Sequence, residues 1–318
     1  MNVLITSASR KVWLVDAFRT ALRATGNVIA TDITRWAAAM HRADRALALS
    51  RSDQAGFVDE LVELCESQDI SLLIPTRDEE LLILADSSHR FNEVGTWVHV
   101  STPDAVETCL DKRRFHDFCL DGGFPVPEMI SDPSSADLPL FVRPRRGKGS
   151  VGIGRLDRPE QLAEITNRSD DVIINRFVDA PEYTIDVFLS RDQTKISSVP
   201  RERMHVVAGE SYIARTTNDP ALRDAAAELC VALGLRGHNT VQAFRWSDGW
   251  AFIEVNPRFG GGAALGFAAG APSPTWLVQE SRGEPLSPPP GSYQSGLVML
   301  RYTEDVFVQE RDLAHDPH

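Results

Sequence analysis

No two cysteines in this sequence stand close enough to form a C-x-x-C pair. The four present, Cys65, Cys109, Cys119 and Cys230, are scattered, and three of them lie in apolar patterns of helical period. Buried free thiols are therefore expected, in place of a metal or redox role. Long apolar runs are missing too, since none approaches the ~20 residues that span a bilayer. The N-terminus enters a short strand pattern and shows no secretory signal. A cytoplasmic protein with no membrane partner is the expectation. Positive charge is in deficit, with 33 Lys and Arg against 45 Asp and Glu and a net charge of −12. Broad nucleic-acid binding needs a basic surface, so no nucleic-acid partner is expected. A local basic pocket for phosphates stays compatible with that balance. Glycine is missing from the first β–α turn, Thr6-Ser7-Ala8-Ser9-Arg10. A dinucleotide pyrophosphate needs close backbone approach there, which disfavours an NAD-dependent oxidoreductase.

What is present suits an ordinary globular chain of two or three domains, with 318 residues, 42% of them hydrophobic and 25% charged. Residues 1–101 alternate strand and helix. Apolar runs of strand length occur at 3–6, 28–31, 71–75 and 97–100. Between them Val15, Phe18 and Leu22 recur at helical spacing, with Gly26 expected to close that helix, and Phe57, Leu61 and Leu64 mark another. A third helix is expected over 78–85. Such alternation implies a parallel sheet covered by helices, with ligands at the carboxyl ends of its strands. Those ends carry Arg10, Asp32, Arg77 and Asp78. Arg10, Arg77 and Asp78 suit a small polar substrate, or serve as solvated helix caps.

Residues 102–139 read as a connection. It holds one helix containing DKRRF (111–115) that ends near Asp121-Gly122-Gly123, followed by a loop rich in Pro, Ser and Asp. Residues 140–190 read as a small β-rich unit with strands at 141–144, 152–157, 172–178 and 183–190 and a helix over 159–168. Its loop RRGKGSVG matches G-x-G-x-x-G through Gly147, Gly149 and Gly152. A second strand follows where the dinucleotide motif requires a helix, and Gly149 stands where a P-loop needs Ser or Thr. The loop is therefore expected to be a hairpin flap whose backbone N–H groups, with Lys148 and Arg143, fold over phosphates. Residues 191–302 read as a larger mixed unit. It has a strand at 195–204 with Arg201 and Arg203 on one face, a helix from Asp219 to Leu233, and a hairpin of 239–246 with 250–258 across Ser247-Asp248-Gly249. A helix over 272–282 and a last strand at 296–302 complete it. Residues 303–318 read as a tail, disordered past about Glu310.

The chemistry concentrates in FIEVNPRFGGG, residues 252–262. In an extended strand Glu254, Asn256 and Arg258 share a face. A carboxylate and an amide oxygen suit Mg²⁺, and a guanidinium suits phosphate. Gln242 on the preceding strand supplies an oxygen that can face Glu254 across the hairpin. Read alone, the lesser alternatives are Lys112 as a helix-surface cation, Glu182 as a solvated strand-edge carboxylate and Gln242 as a cross-strand pair.

Taken in order, DKRRF, FVRPRRGKGSVGIG, VIINRFVDAPEYTIDV, VPRERM, VQAF and FIEVNPRFGGG resemble the ATP-grasp superfamily, and within it the group related to the large subunit of carbamoyl phosphate synthase. The resemblance covers roughly residues 1–300. It implies an α/β chain with a parallel pre-ATP-grasp domain at 1–101, a linker helix and lid at 102–190, and a mixed α+β ATP-grasp subdomain at 191–302. It also assigns roles. Lys112, Arg143 and Lys148 would hold ATP phosphates, with Gly149 and Ser150 in the closing loop. Asn175, Arg176, Phe177 and Val178 would contact adenine, and Glu182 the ribose. Gln242, Glu254 and Asn256 would bind Mg²⁺, or Mn²⁺ in its place. Arg258 would act on the transferred phosphate together with Arg143 and Lys148. Asn175 stands where many relatives have glutamate, and Gln242 where many have an acidic residue. Arg10, Arg77, Arg201 and Arg203 are the candidates for gripping a substrate carboxylate. The implied activity is an ATP-dependent carboxylate–amine ligase acting on small-molecule acids and amines. Carbamate phosphorylation, as in carbamoyl phosphate synthase, and a non-catalytic ATP-binding protein are the alternatives. A homodimer is compatible with the apolar helical N-terminal unit.

Overall fold

The computed structural model describes residues 1–133, 136–147, 154–161, 171–286, 292–310 and 313. Its first unit is the expected parallel sheet. Strands β1 (Asn2–Ile5), β2 (Val28–Asp32), β3 (Arg45–Ala48), β4 (Ile70–Ile74) and β5 (Trp97–Val98) lie in the order β3-β2-β1-β4-β5. All four pairings are parallel. Helices α1 (Val12–Leu22), α2 (Phe57–Ser67), α3 (Asp78–Asp86) and α4 (Ser88–Glu93) connect and cover them. β1 and β4 are apolar on both faces through Val3–Ile5 and Leu72–Ile74, because helices cover both faces of the sheet. Helix α1 buries Leu14, Val15, Phe18, Ala21 and Leu22 along one stripe. It ends at Leu22, short of Gly26, because Arg23 and Ala24 take left-handed conformations with φ 48° and 62°. Strand order reverses around β1, with β2 on one side and β4 on the other. The crevice of such a sheet opens at that switch point, between the turns after β1 and β4.

The 102–139 connection holds two helices, α5 (Pro103–Leu110) and α6 (Lys112–Asp121), where the sequence pattern predicts one. Asp111 between them caps α6 by accepting from the backbone N–H groups of Arg113 and Arg114. Strands β6 (Leu140–Pro144), β7 (Gly154–Leu156) and β8 (Val172–Arg176) then form a small antiparallel sheet in the order β7-β6-β8. Residues 148–153, which include Lys148, Gly149, Ser150 and Gly152, lie outside the described residues. So does most of the helix expected over 159–168, and all of the tail past 310 except Leu313.

The largest sheet runs β13-β12-β9-β10-β11-β14. Its strands are β9 (Glu182–Leu189), β10 (Lys195–Val207), β11 (Glu210–Thr216), β12 (Gly237–Trp246), β13 (Gly249–Asn256) and β14 (Val298–Leu300). β9 sits centrally between β10 and β12, so this sheet reaches back past the expected boundary at 190. β11 escapes sequence detection because the side chains it buries are Ser211, Ala214 and Thr216, which give no apolar alternation. Helix α7 (Pro220–Ala232), capped by Asp219, buries Leu222, Ala226, Ala227, Leu229 and Cys230 beneath the sheet. Two short helices, α8 (Ala264–Ala268) and α9 (Ser273–Ser281), follow. One core joins the first unit to the last, in which Phe18 and Leu14 of α1 share a cluster with Phe188, Phe259 and Trp276. Each such side chain contributes roughly 1.5–3 kcal/mol by leaving water, enough to fix how the two units meet. All four cysteines are buried and free. Among the described residues no helix is long and apolar enough to cross a membrane.

Candidate active site

The β12–β13 hairpin sets the site. Its register pairs Gln242 directly with Glu254, and Thr240 with Asn256. Period-2 alternation then places Glu254 and Asn256 on the face that carries Gln242. The Asn256 Nδ2 donates to Glu254 Oε1 at 3.2 Å, leaving Asn256 Oδ1 as an acceptor turned toward Arg258, 3.3 Å from its Nη2. The glycines that follow are required by close packing. A Cβ on Gly260 would stand 2.7 Å from Thr240 Cγ2, and one on Gly262 would stand 2.5 Å from Arg201 Nη1.

The opposite wall is cationic. Arg143 on β6 is buried; its Nη1 donates to the Ile253 carbonyl at 3.2 Å and its Nε has no hydrogen-bond partner among the described residues. Burial lowers its pKa while the charge of Glu254 supports it. Lys112 opens α6, and its Nζ donates to the Gly147 carbonyl at 3.0 Å. Burial lowers Lys112 as well, with Glu254 again opposing. Asp111 braces this wall through Arg145, whose Nε donates to both carboxylate oxygens at 2.8 and 2.9 Å.

Between the walls lies a cavity of about 480 Å³, lined by Lys112, Arg143, Glu182, Gln242, Glu254, Asn256 and Arg258 among others. That volume falls in the range of small-molecule sites. A smaller cavity of about 190 Å³ adjoins it and shares Lys112, Gly147, Glu254 and Asn256. The oxygen set holds one carboxylate and two amides, and no cluster of three or more His, Cys, Asp or Glu suited to a metal occurs among the described residues. Such a set fits Mg²⁺, which takes much of its coordination from phosphates and water. The orphaned Arg143 Nε is a donor awaiting an anion.

Several expected residues stand elsewhere. Arg201 lines the cavity but is fully buried in a fork with Asp186, with bonds of 2.7 and 2.8 Å. Arg203 is bonded to Glu182, to Ser211 Oγ at 3.2 Å and to the Gly209 carbonyl at 2.7 Å. Both candidate carboxylate grips are thus occupied by the protein's own acids and backbone. Arg10 is exposed and Arg77 pairs at the surface with Glu79 at 3.4 Å. Neither lines the cavity. Asn175 is buried against the Pro127 and Glu128 carbonyls, and Arg176 pairs with Glu128. Phe177 packs on Phe141 and under Arg155, its backbone N–H bonded to Pro139. None of residues 175–178 lines the cavity, although Phe141 does. Glu182 does line it, with its pKa raised by burial against the pull of Arg203. Two acids that shape the site escape sequence reading. Asp111 gives a signal only as the acidic residue directly before a helix. Asp186 gives none, because its partner is defined by strand register.

Two domain models match the chain: the PylC-like N-terminal domain over residues 3–99, and the ATP-grasp domain in the biosynthetic pathway with Ter operon over residues 168–304. A D-alanine–D-alanine ligase from Alcanivorax borkumensis is 27% identical over 165 residues, covering 46% of this chain and 54% of that one. The large chain of carbamoyl phosphate synthase from Methanospirillum hungatei is 29% identical over 181 residues, covering 49% of this chain and 17% of that one. The chain thus spans about half the length or less of these relatives. The N5-carboxyaminoimidazole synthetase of Staphylococcus aureus, solved as an ADP complex, superposes with a TM-score of 0.73 at 13% identity, covering 92% of this chain and 79% of that one. That likeness concerns the fold. The chain thus joins a PylC-like N-terminal domain at residues 3–99 to an ATP-grasp domain at residues 168–304.

Proposed function

We propose that the protein is an ATP-dependent ligase that activates a carboxylate as its acyl phosphate and joins it to an amine. The observation that carries this reading is one cavity with phosphate-seeking cations on one wall, Lys112 and Arg143, and metal-seeking oxygens on the other, Gln242, Glu254 and Asn256. The similarity to a D-alanine–D-alanine ligase supports the ligase class.

In this reading a substrate carboxylate oxygen attacks the γ-phosphorus, the bond to the β-phosphate oxygen breaks, and ADP leaves. The amine then attacks the acyl carbon, the C–O bond to phosphate breaks, and inorganic phosphate and a proton are released. Positioning and charge neutralisation are the protein's task. Lys112 and Arg143 hold phosphate oxygens, and Arg258 faces the transferred group. Glu182 accepts from ribose hydroxyls. Gln242, Glu254 and Asn256 would hold Mg²⁺ or Mn²⁺, which supplies charge neutralisation to the phosphates when bound. Lys148, Gly149 and Ser150 belong to the loop that would close over them. Because acyl phosphates hydrolyse, such closure protects the intermediate.

The test is release of ADP and phosphate with MgATP and a panel of carboxylic acids, the twenty L-amino acids and D-alanine included. Hydroxylamine is added to trap acyl phosphate as hydroxamate. Acid-dependent hydroxamate formation is expected. ADP release independent of any acid, or a stable phosphorylated product with no amine consumed, would overturn the ligase reading; the second outcome would point to carbamate-type phosphorylation.

A further inference from the structure

The cations first expected to grip a substrate carboxylate are spent on internal partners: Arg201 on Asp186, Arg203 on Glu182 and Arg77 on Glu79. Arg258 is held by Asp78. A different cation sits at the switch point of the parallel sheet, outside the lining of both cavities but beside Arg258, which lines the larger one. Lys11 follows the turn after β1 and precedes α1, half-buried. Its Nζ makes one hydrogen bond, to the Ser7 carbonyl at 3.1 Å, and no ion pair among the described residues. An ammonium has three donors, so two remain for a ligand.

The nearby carboxylate that could have paired with it is engaged elsewhere. Glu80, buried on α3, accepts from Thr6 Oγ1 at 2.8 Å and from the Ser7 hydroxyl. Thr76 ties the same turn down, donating to the Thr6 and Ser7 carbonyls at 2.8 Å each. Ser7 and Ser9 adopt φ of 48° and 50° without being glycine. The turn is therefore fixed by side-chain hydroxyls, and the hydroxyl ladder consumes the acid that would otherwise neutralise Lys11. Four charged groups face the ammonium: Arg258 and Arg77 repel it, and Glu80 and Asp32 attract it. Burial and then Arg258 lower its pKa to about 8. Arg258 belongs to the end of the phosphoryl-transfer strand, so the two cations face one another across the join between the units. Like charges held together are relieved by an anion between them.

We infer that Lys11 binds the carboxylate of the acid substrate and presents it toward Arg258. This rests on the ligase reading and adds to it the residue that recognises the acid.

The experiment uses the full chain with MgATP and hydroxylamine, which stays uncharged between pH 7 and 9.5. The probe is whichever of the twenty L-amino acids or D-alanine gives the most hydroxamate. Lys11→Ala is expected to raise KM for that acid by roughly 10- to 100-fold, as loss of a charge-assisted bond does, with KM for ATP little changed. Wild-type KM for the acid is expected to climb above pH 8 as Lys11 loses its proton. Lys11→Arg stays charged and should restore acid binding and abolish that alkaline rise. An ADP-induced rise in Tm retained by Lys11→Ala shows that the variant folds. Unchanged KM for the acid in Lys11→Ala, or the same alkaline rise in Lys11→Arg, overturns this inference and leaves the ligase reading standing. Hydroxamate from none of the acids tells against the ligase reading itself, and this inference falls with it.

Discussion

The carboxylate of Asp78 holds the guanidinium of Arg258 through two bonds, Nε to Oδ1 at 2.5 Å and Nη2 to Oδ2 at 3.0 Å, across 180 residues of sequence. Asp78 opens α3 behind the parallel sheet, where the helix N-terminus favours a negative charge. Arg258 follows the strand that carries Glu254 and Asn256. The cation proposed to act on the transferred phosphate is therefore held by the unit that also carries Lys11. Burial opposes the charge of Arg258, and the field and hydrogen bonds of Asp78 outweigh it, so its pKa is raised.

Removing that anchor should cost rate more than nucleotide binding. Asp78→Asn keeps the shape and loses the charge that fixes Arg258. We expect kcat to fall roughly 10- to 100-fold with KM for ATP within a few-fold, the pattern of an interaction used mainly in the transition state. Asp78→Ala leaves Arg258 half-buried and unpaired and should also cost about 3–5 kcal/mol of stability. Steady-state kinetics and urea unfolding of the two variants separate the terms. Equal loss of ATP affinity and rate would assign Asp78 to ground-state binding.

Glu254 stands at the centre of the charge arrangement, since its field supports Lys112 and Arg143 and raises Glu182. Glu254→Ala should abolish acid-dependent ADP release while leaving the fold intact, because the side chain bonds only Asn256 among the described residues. Glu254→Gln retains an oxygen and should recover part of the activity at raised Mg²⁺. EDTA should silence the wild type, with recovery on adding excess Mg²⁺. A Mg²⁺ titration with ADP release as the signal checks all three. Normal turnover by Glu254→Ala would remove the metal-site assignment.

Much of this site is legible in the sequence, for a physical reason. Residues i and i+2 must share a face of a strand, and a Ser-Asp-Gly turn fixes a hairpin register. The pairing of Gln242 with Glu254 and the shared face of Asn256 follow from those two facts. The fate of the arginines does not. Arg201 stands opposite Thr184, and its acid, Asp186, is two residues further along β9. Only the register of two strands joined through a turn decides that the pair is internal. Arg10 and Lys11 are adjacent in sequence, yet the start of α1 turns one outward and holds the other half-buried. The glycine-free turn after β1 disfavours a dinucleotide cradle. Its positive purpose, hydroxyls that fasten it to Glu80, depends on a helix some seventy residues away.

The Arg201–Asp186 fork is a structural pair, and its energetics should say so. Both side chains are almost wholly buried. Truncating one partner strands the other charge in a dry interior, whereas removing both leaves only a packing defect. Asp186→Leu or Arg201→Met alone should destabilise by about 3–5 kcal/mol. The Arg201→Met, Asp186→Leu double variant should recover most of that loss. Urea midpoints for the two singles and the double complete the cycle. Additive losses would mean that the two side chains stabilise the fold independently, and Arg201 would return as a candidate for substrate contact.

The join between the units should also be acid-sensitive. His99, just after β5, and His238, on β12, are both buried there. His99 Nε2 accepts from the His238 backbone N–H at 2.9 Å, so that nitrogen must be free of a proton, and its Nδ1 has no partner among the described residues. Burial, then the neighbouring His238, lowers His99 to about 3. Burial lowers His238 to about 4 although Asp186 pulls the other way. In the unfolded chain both titrate near 6.5. Between pH 6.5 and about 4 the unfolded state thus binds more protons than the native one. Stability is then complete above 6.5 and lost as pH falls, by up to about 1.4 kcal/mol per pH unit for each histidine. Urea midpoints at pH 7.0, 5.5 and 4.5 should fall steadily. His99→Gln keeps an acceptor for the His238 N–H without a titrating ring, so its slope should be shallower. Because Phe259 stacks on His238 at 4.3 Å and directly follows Arg258, acid loosening of this join should disturb the Asp78–Arg258 bond first. Acid-dependent ADP release should therefore decline at a higher pH than the global unfolding signal, and coincidence of the two curves would mean that the join opens only when the whole chain does.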